Sequence, residues 1–389
     1  MALSKRAVRV WYLVHKWSSL ICMAFMLLLC LTGLPLIFHS EIDQWSHAEE
    51  YASVADDQQA SLDQIMADSK AEKPGWELVF LVWDDTDPII RVVMGETMKV
   101  NEGSAYFLTF DRRTGERLKA PPPNEGIMFF LLDLHGTLLM GLPGALFLGL
   151  MGVLFAVSVI SGIVVYAPYM KRLPFTAVRR ERGARIKWLD IHNATGMATV
   201  SWVLVVGITG IILTLVQPLS MLWQQGQLAD IANTYRGTTL EQNAVGPDQV
   251  RAALLAEVPD ADISFMSMPG SPYATPHHYT VALRGNTPLT ERLIKLAVLD
   301  AATGQLDGIR STPWYLTMVN ISVPLHFGDY GGLPLKIIWA LLDILAIFTL
   351  GSGIYLWLAR GSRGVRRVEE IHAMEEETLQ QQPVPGANG

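Results

Sequence analysis

The sequence is poor in charge and in cysteine. Asp, Glu, Lys and Arg make up 17% of the 389 residues and hydrophobic residues 50%, a balance outside the usual range of soluble proteins. The two cysteines, Cys22 and Cys30, are eight residues apart, which is about 12 Å along a helix and too far for a disulfide bond. The composition excludes an ordinary soluble protein, and neither cysteine can cross-link a domain.

Four hydrophobic stretches are long enough to cross a lipid bilayer, because a transmembrane helix needs about 20 apolar residues. They cover residues 10–38, 142–167, 189–215 and 333–358. The first is too long for a signal peptide, and no small-x-small cleavage site follows Phe38. The sequence therefore predicts a multi-pass membrane protein with four retained helices.

Basic residues predict the orientation. Half of the 30 lysines and arginines lie in three short segments: the N-terminus, residues 171–187 and the start of the tail from Arg360. Short basic segments stay in the cytoplasm, so both termini are predicted to be cytoplasmic. The segment 41–141, with 19 acidic and 8 basic residues, lies outside, and its charge argues against a nucleic-acid partner.

The predicted organisation follows from these spans and segments. It consists of transmembrane helix 1 (1–39), outer domain 1 (40–141), transmembrane helix 2 (142–168), a basic cytoplasmic loop (169–188), transmembrane helix 3 (189–216), outer domain 2 (217–332), transmembrane helix 4 (333–359) and a cytoplasmic tail (360–389). The acidic residues 375–377 and the glutamines after them predict a disordered tail.

The two halves of the chain repeat the same spacings, which indicates an internal duplication. Thr-Gly follows His15 after 17 and 18 residues, and Thr-Gly follows His192 at the same distances. Ser-Gly follows both His135 and His326 after 26 and 27 residues. Each outer segment also contains a β-rich run that ends in an Asp-x-x-Thr-Gly turn, at Asp111 and at Asp300. The predicted fold is an all-α bundle of four transmembrane helices with two outer α+β domains.

The four repeated histidines sort into two pairs. His15 and His192 fall at the cytoplasmic ends of their spans, and His135 and His326 precede their spans at the outer face. Two facing imidazoles at one level are what a six-coordinate haem iron needs, and a four-helix bundle can supply them. A single interfacial histidine is more often structural, but four at repeated spacing favour ligation. Zinc or copper could use the same residues, although two imidazoles without a further ligand make an incomplete zinc site.

Small residues occur at the levels of these pairs. Gly33 and Gly210 fall at the level of the outer histidines, and Gly162 and Gly353 at the level of the cytoplasmic ones. We expect them to leave room for a macrocycle, with tight helix packing as the alternative. The sequence has no Cys-x-x-Cys-His motif, which excludes covalent attachment of haem and implies haem b.

Several further residues keep alternative interpretations. His39 could replace an outer ligand, line a substrate site or cap its helix. Asp343, near the middle of the fourth span, could relay a proton or hold a water molecule. His277 and His278, with methionines nearby, could suggest a copper site, but neighbouring residues of a strand point to opposite faces, and we expect surface positions.

The sequence resembles the PepSY-associated transmembrane family of iron-regulated bacterial inner-membrane proteins. The resemblance lies in Leu-Val-His15-Lys-Trp, Leu-His135-Gly, Ile-His192, Leu-His326 and the two Asp-x-x-Thr-Gly turns, and it extends to about Arg367. Within the family the chain is most similar to ferrisiderophore reductases of the ferrioxamine type. The resemblance implies periplasmic PepSY-like domains and two haem b groups whose iron ligands are His15 with His192 and His135 with His326.

The implied function is electron transfer across the membrane to a ferric siderophore in the periplasm. No Gly-x-Gly-x-x-Gly follows a strand, so the electron donor is expected to be a separate molecule such as quinol or a reduced flavin. One alternative is a non-redox binding or regulatory module. Another is a metal transporter, for which Asp343 is the only intramembrane support.

Overall fold

The computed structural model describes residues 5–46, 54, 58–84, 87–100, 104–120, 122–170, 178–234, 244–285 and 293–380. The helices are α1 (Lys5–Leu36), α2 (His39–Ser46), α3 (Leu62–Glu72), α4 (Gly126–Thr137), α5 (Leu142–Met170), α6 (Ala184–Leu213), α7 (Val216–Trp223), α8 (Ala229–Thr234), α9 (Pro247–Glu257), α10 (Trp314–Phe327) and α11 (Gly332–Gln380). The strands are β1 (Glu77–Trp83), β2 (Ile89–Gly95), β3 (Tyr106–Asp111), β4 (Arg117–Leu118), β5 (Asp262–Ser267), β6 (His278–Arg284), β7 (Lys295–Asp300) and β8 (Leu306–Ser311).

Four of these helices are long and apolar enough to cross a membrane, which confirms the predicted number of spans. The crossing segments are Arg6–Leu36, Leu142–Ala167, Ala184–Leu213 and Gly332–Ala359. Large apolar side chains on them are exposed, among them Leu150, Leu341 and Phe348. Exposed apolar residues along an apolar helix are what contact with lipid requires.

The chain divides into two compact units. The first consists of Met1–Leu31, Val153–Val205 and Ala340–Gly389, and it is helical in the residues described. The second consists of Thr32–Gly152 and Val206–Trp339, and it contains the sheet together with α2–α4 and α7–α10.

All eight strands belong to one antiparallel sheet in the second unit. The strand order is β4-β3-β2-β1-β5-β6-β7-β8, so each half of the chain contributes four consecutive strands. The two sets join where β1 pairs with β5, with Leu81 opposite Met266. The outer segments are thus α+β as predicted, but they share a sheet, and the pairing removes two edges that would otherwise expose unpaired backbone groups.

One face of this sheet carries the main core. Ile65 of α3 and Leu254 of α9 pack onto Leu81 and Met266, and all four are fully buried. On the second half of the sheet the other face packs against Trp223. Both Asp-x-x-Thr-Gly turns form as predicted, with the glycine in a left-handed conformation after β3 and after β7.

The last helix is longer than predicted. Residues 375–380 belong to α11, so the prediction of a disordered tail is wrong as far as Gln380. This segment consists mostly of Glu, Leu and Gln, which favour helix, and no proline follows it before Pro383. Residues 381–389 lie outside the described part of the chain.

Candidate functional site

His15 and His192 face each other in the first unit. His15 lies on α1 and His192 on α6, and their ring centroids are 6.5 Å apart with an angle of 61° between the ring planes. The sequence placed these two residues at the same end of the bundle. The structure brings them together as that prediction requires.

His135 and His326 form the corresponding pair in the second unit. Each lies near the C-terminal end of a short apolar helix, α4 for His135 and α10 for His326. The ring centroids are 6.2 Å apart, and the ring planes make an angle of 71°. The sequence anticipated the pairing but not the separate helices that carry the two residues.

The Nδ1 atom of three of these histidines is bonded to a backbone carbonyl. The distances are 2.8 Å from His15 to Ser158 O, 3.0 Å from His192 to Thr349 O and 2.9 Å from His326 to Val206 O. A carbonyl only accepts, so Nδ1 must donate its proton. The lone pair of a neutral ring is then on Nε2, the arrangement that metal-bound histidines show.

Hydroxyl groups complete the surroundings of the rings. Thr32 Oγ1 lies 2.9 Å from His135 Nδ1, and Ser352 Oγ lies 3.0 Å from His192 Nδ1. These hydroxyls belong to the Thr-Gly and Ser-Gly pairs that repeat in the sequence. Thr32 and Ser352 therefore help to orient the imidazoles of His135 and His192.

The glycines of these pairs lie against the same rings. A Cβ built on Gly162 would be 3.0 Å from His15 Cε1, on Gly210 3.0 Å from His326 Cε1, on Gly33 3.1 Å from His135 Cε1, and on Gly353 3.4 Å from His192 Cε1. Each glycine thus lies beside a histidine of the level that the sequence predicted. The space it leaves is filled by an imidazole, whereas the sequence led us to expect a macrocycle there.

The donor sets fit a haem iron. An imidazole nitrogen binds a metal at about 2 Å, so two rings on opposite sides of one ion hold their centres roughly 6 Å apart, close to the two observed separations. Two rings packed directly against each other have centroid separations in the same range. The evidence that favours ligation is therefore the set of Nδ1 hydrogen bonds, which leave the lone pair of three of the rings on Nε2. Among the described residues no group of three His, Cys, Asp or Glu side chains could hold a metal ion, so a zinc site would lack ligands.

His39 belongs to neither pair. Its side chain is exposed, its Nδ1 bonds Leu36 O at 3.0 Å, and its ring centroid lies 6.4 Å from that of Phe327. Its imidazole therefore binds the carbonyl of its own chain three residues earlier and contacts α10.

Asp343 is buried in the fourth span. It is 5% exposed, and its Oδ2 has no hydrogen-bond partner among the described residues.

The expected surface position of His278 is wrong. This residue is 0% exposed, with Nδ1 2.7 Å from Thr275 Oγ1 and Nε2 3.0 Å from Asp307 Oδ2. Burial lowers the pKa of His278, although Asp307 acts in the opposite direction. Met266 and Met268, the residues behind the copper alternative, are buried core residues.

Sequence reasoning missed an ion pair near the His135–His326 pair. Lys336 is 8% exposed, and its Nζ lies 2.8 and 2.9 Å from the two carboxylate oxygens of Glu41 and 3.0 Å from Ser40 Oγ. A signal was present, because Lys336 is a charged residue in an apolar span at the position where the other half has Ala145.

Comparison with known proteins gives one family match. The family model described as the PepSY-associated TM region matches residues 12–360, a range that contains all four paired histidines. A search of curated proteins finds no match to the chain.

Proposed function

Because the chain belongs to the PepSY-associated transmembrane family, we propose that it is an oxidoreductase that binds two haem b groups and reduces a ferric siderophore to release its iron. The observation that carries this proposal is the pair of facing histidines in each unit. His15 and His192 would hold one haem iron, and His135 and His326 would hold the other.

A haem with two histidine ligands supplies reversible one-electron chemistry at a potential set by its surroundings. The chain orients the ligands: the carbonyl oxygens of Ser158, Thr349 and Val206 accept the Nδ1 protons. Such bonds fix the tautomer and make Nε2 a stronger donor. The four glycines let the rings approach the neighbouring helix.

The proposed reaction adds one electron to Fe(III) held by oxygen ligands outside the cytoplasm. Hard oxygen donors hold Fe(III) firmly and the softer Fe(II) weakly, so the chelate loses its iron once the charge falls. The electron comes from a separate donor, such as quinol or a reduced flavin, since the sequence has no dinucleotide-binding motif.

The proposed location is the bacterial inner membrane, with both termini in the cytoplasm and the sheet in the periplasm. The distribution of basic residues supports this orientation. A ferric siderophore, resembling ferrioxamine, is the proposed periplasmic partner.

The test is an anaerobic assay with purified protein in liposomes. The protein is reduced, excess reductant is removed, and ferrioxamine B is added together with a coloured Fe(II)-specific chelator. We expect Fe(II) to form with wild-type protein and with Val216→Ala, and to be lost with His326→Ala. Protein that contains haem yet yields no Fe(II) with any ferric siderophore would contradict the proposed substrate.

A further inference from the structure

Three aromatic rings connect the His135–His326 pair with the protein surface. The ring of Phe327 lies 5.8 Å from that of His326 and 6.4 Å from that of His39, centroid to centroid. His326 and Phe327 are partly buried, whereas His39 is exposed. The series therefore leads from a proposed haem ligand to an accessible imidazole, all within the second unit.

The other half of the chain has different residues at the positions equivalent to Phe327 and His39. At the spacing that relates His135 to His326, the position of Phe327 is occupied by Gly136, where an added Cβ would meet nothing within 4 Å. At the spacing that relates His15 to His192, the position of His39 is occupied by Val216. Phe327 and His39 are thus not repeated at the equivalent positions of the other half.

The imidazole of His39 is also held in place. Its Nδ1 is bonded to Leu36 O, which puts the lone pair of the neutral ring on Nε2. The next two residues, Ser40 and Glu41, are bonded to the nearly buried Lys336 of α11. These three hydrogen bonds tie the helix that begins at His39 to α11.

The far end of α10 is fixed as well. Gly328 ends this helix with φ +70°, and a Cβ built on it would be 2.5 Å from the ring of Trp339 in α11. Only glycine allows that approach in this conformation. Phe327 is thus held at the end of a helix that cannot shift without displacing Trp339.

On these grounds, and resting on the function proposed above, we propose that His39 is the residue that contacts the ferric chelate and that Phe327, which lies between His39 and His326, serves the electron-transfer step rather than chelate binding. The ligand class is an Fe(III) complex with oxygen donors, whose exposed edge meets Nε2 of His39. One electron passes from the reduced protein to Fe(III). The iron becomes Fe(II), and the protein is oxidised because it has lost that electron.

The test separates contact from electron transfer. Protein is reduced anaerobically and mixed with ferrioxamine B in a stopped-flow instrument, and reoxidation is followed in the visible spectrum. His39→Ala is compared with Val216→Ala, the residue at the equivalent position of the other half. We expect at least about tenfold slower reoxidation for His39→Ala, equivalent to about 1.4 kcal/mol, and an unchanged rate for Val216→Ala.

Two further readouts do not depend on turnover. The first is binding of the gallium(III) complex of the same siderophore, because gallium(III) is not reduced. We expect this binding to weaken in His39→Ala and to stay unchanged in Phe327→Leu. The Phe327→Leu variant is expected to slow only the electron-transfer step. Reoxidation by ferricyanide, a small oxidant that needs no docking site, is expected to be equal in all variants.

The outcomes are distinguishable. A wild-type rate for His39→Ala, or loss of haem from this variant, overturns the assignment of His39 while leaving the proposed function intact. Wild-type protein that is never reoxidised by the ferric complex overturns the proposed function itself.

A charge exchange tests the ion pair between Lys336 and Glu41. Lys336→Glu alone is expected to reduce the reoxidation rate, and the double variant Lys336→Glu with Glu41→Lys is expected to restore it. A failure of that rescue contradicts the role of the ion pair in positioning His39.

Discussion

Gly162 lies directly beside His15, so that a Cβ built on the glycine would be 3.0 Å from Cε1 of the imidazole. The corresponding distance from Gly353 to the ring of His192 is 3.4 Å. One histidine pair is thus bounded by two glycines, and the contact on the His15 side is the tighter one.

We predict that Gly162→Ala displaces the His15 ring and alters its axial ligation. The methyl group would lie at less than the usual contact distance, whereas the methyl group of Gly353→Ala fits with a small adjustment. The measurement is the visible and electron paramagnetic resonance spectrum of each variant. We expect a clear change or partial loss of one haem for Gly162→Ala and a smaller change for Gly353→Ala.

Gly351→Ala is the control, because nothing lies within 4 Å of a Cβ at that position of the same helix as Gly353. Its spectrum is expected to equal that of wild type. An unchanged spectrum for Gly162→Ala would contradict the view that this contact sets the position of the His15 ring.

The two Asp-x-x-Thr-Gly turns differ in a way that predicts unequal effects on stability. Asp111 is 1% exposed at its side chain and forms an ion pair with Arg113 at 2.9 Å. Both aspartates accept backbone N–H bonds, Asp111 from Arg113 and Asp300 from Ala302 and Thr303, but no arginine follows Asp300 at the equivalent position. Removing one partner of a buried ion pair costs about 3–5 kcal/mol.

We therefore expect Asp111→Asn to lower the free energy of unfolding by several kcal/mol, because it leaves the Arg113 charge buried. Asp300→Asn should cost about 1 kcal/mol, since an amide oxygen still accepts the backbone bonds. Thermal unfolding followed by tryptophan fluorescence compares the two. Equal effects would show that the Arg113 pair adds nothing to the turn.

The ion pair between Glu41 and Lys336 predicts a dependence of stability on pH. Partial burial raises the pKa of Glu41, but the hydrogen bond and charge of Lys336 and the hydrogen bond of Ser40 outweigh this, so the pKa is lowered overall. A carboxyl group with a lowered pKa contributes stability above its ordinary pKa of about 4.3. That contribution is lost as the pH falls through the lowered value.

The measurement is the thermal midpoint of wild type and of Lys336→Met between neutral and acidic pH. We expect the wild-type advantage to hold at neutral pH and to shrink as the pH falls below the ordinary carboxyl range. A difference that is constant over this range would mean that the charge of Glu41 does not stabilise the contact.

The membrane-spanning helices and the pairing of the histidines could be predicted from the sequence. A span needs an uninterrupted apolar run, so the four helices are visible in composition alone. The facing of His15 with His192 followed from equal spacings in helices of fixed rise. The assignment of Gly33 to the level of His135 rested on the same regularity.

Other features depend on contacts that sequence does not encode locally. The pairing of Leu81 with Met266 joins strands from opposite halves of the chain, and either set of four strands could have ended in an exposed edge. His278 is buried because Thr275 and Asp307 satisfy both ring nitrogens, and Asp307 is 29 residues away. The duplication suggested by the spacings stays a prediction, supported by a similar succession of helices and strands in each half, in which the second half has one additional helix, α8.

The most direct test of the central claim is the haem content of the purified protein, from its reduced-minus-oxidised spectrum and a pyridine haemochrome assay. Wild type, His15→Ala, His135→Ala and His39→Ala are compared after haem-supplemented expression. We expect two haem b groups per chain in wild type and in His39→Ala, and one in each of the other variants. A colourless wild-type protein would contradict the redox function and favour a regulatory membrane module.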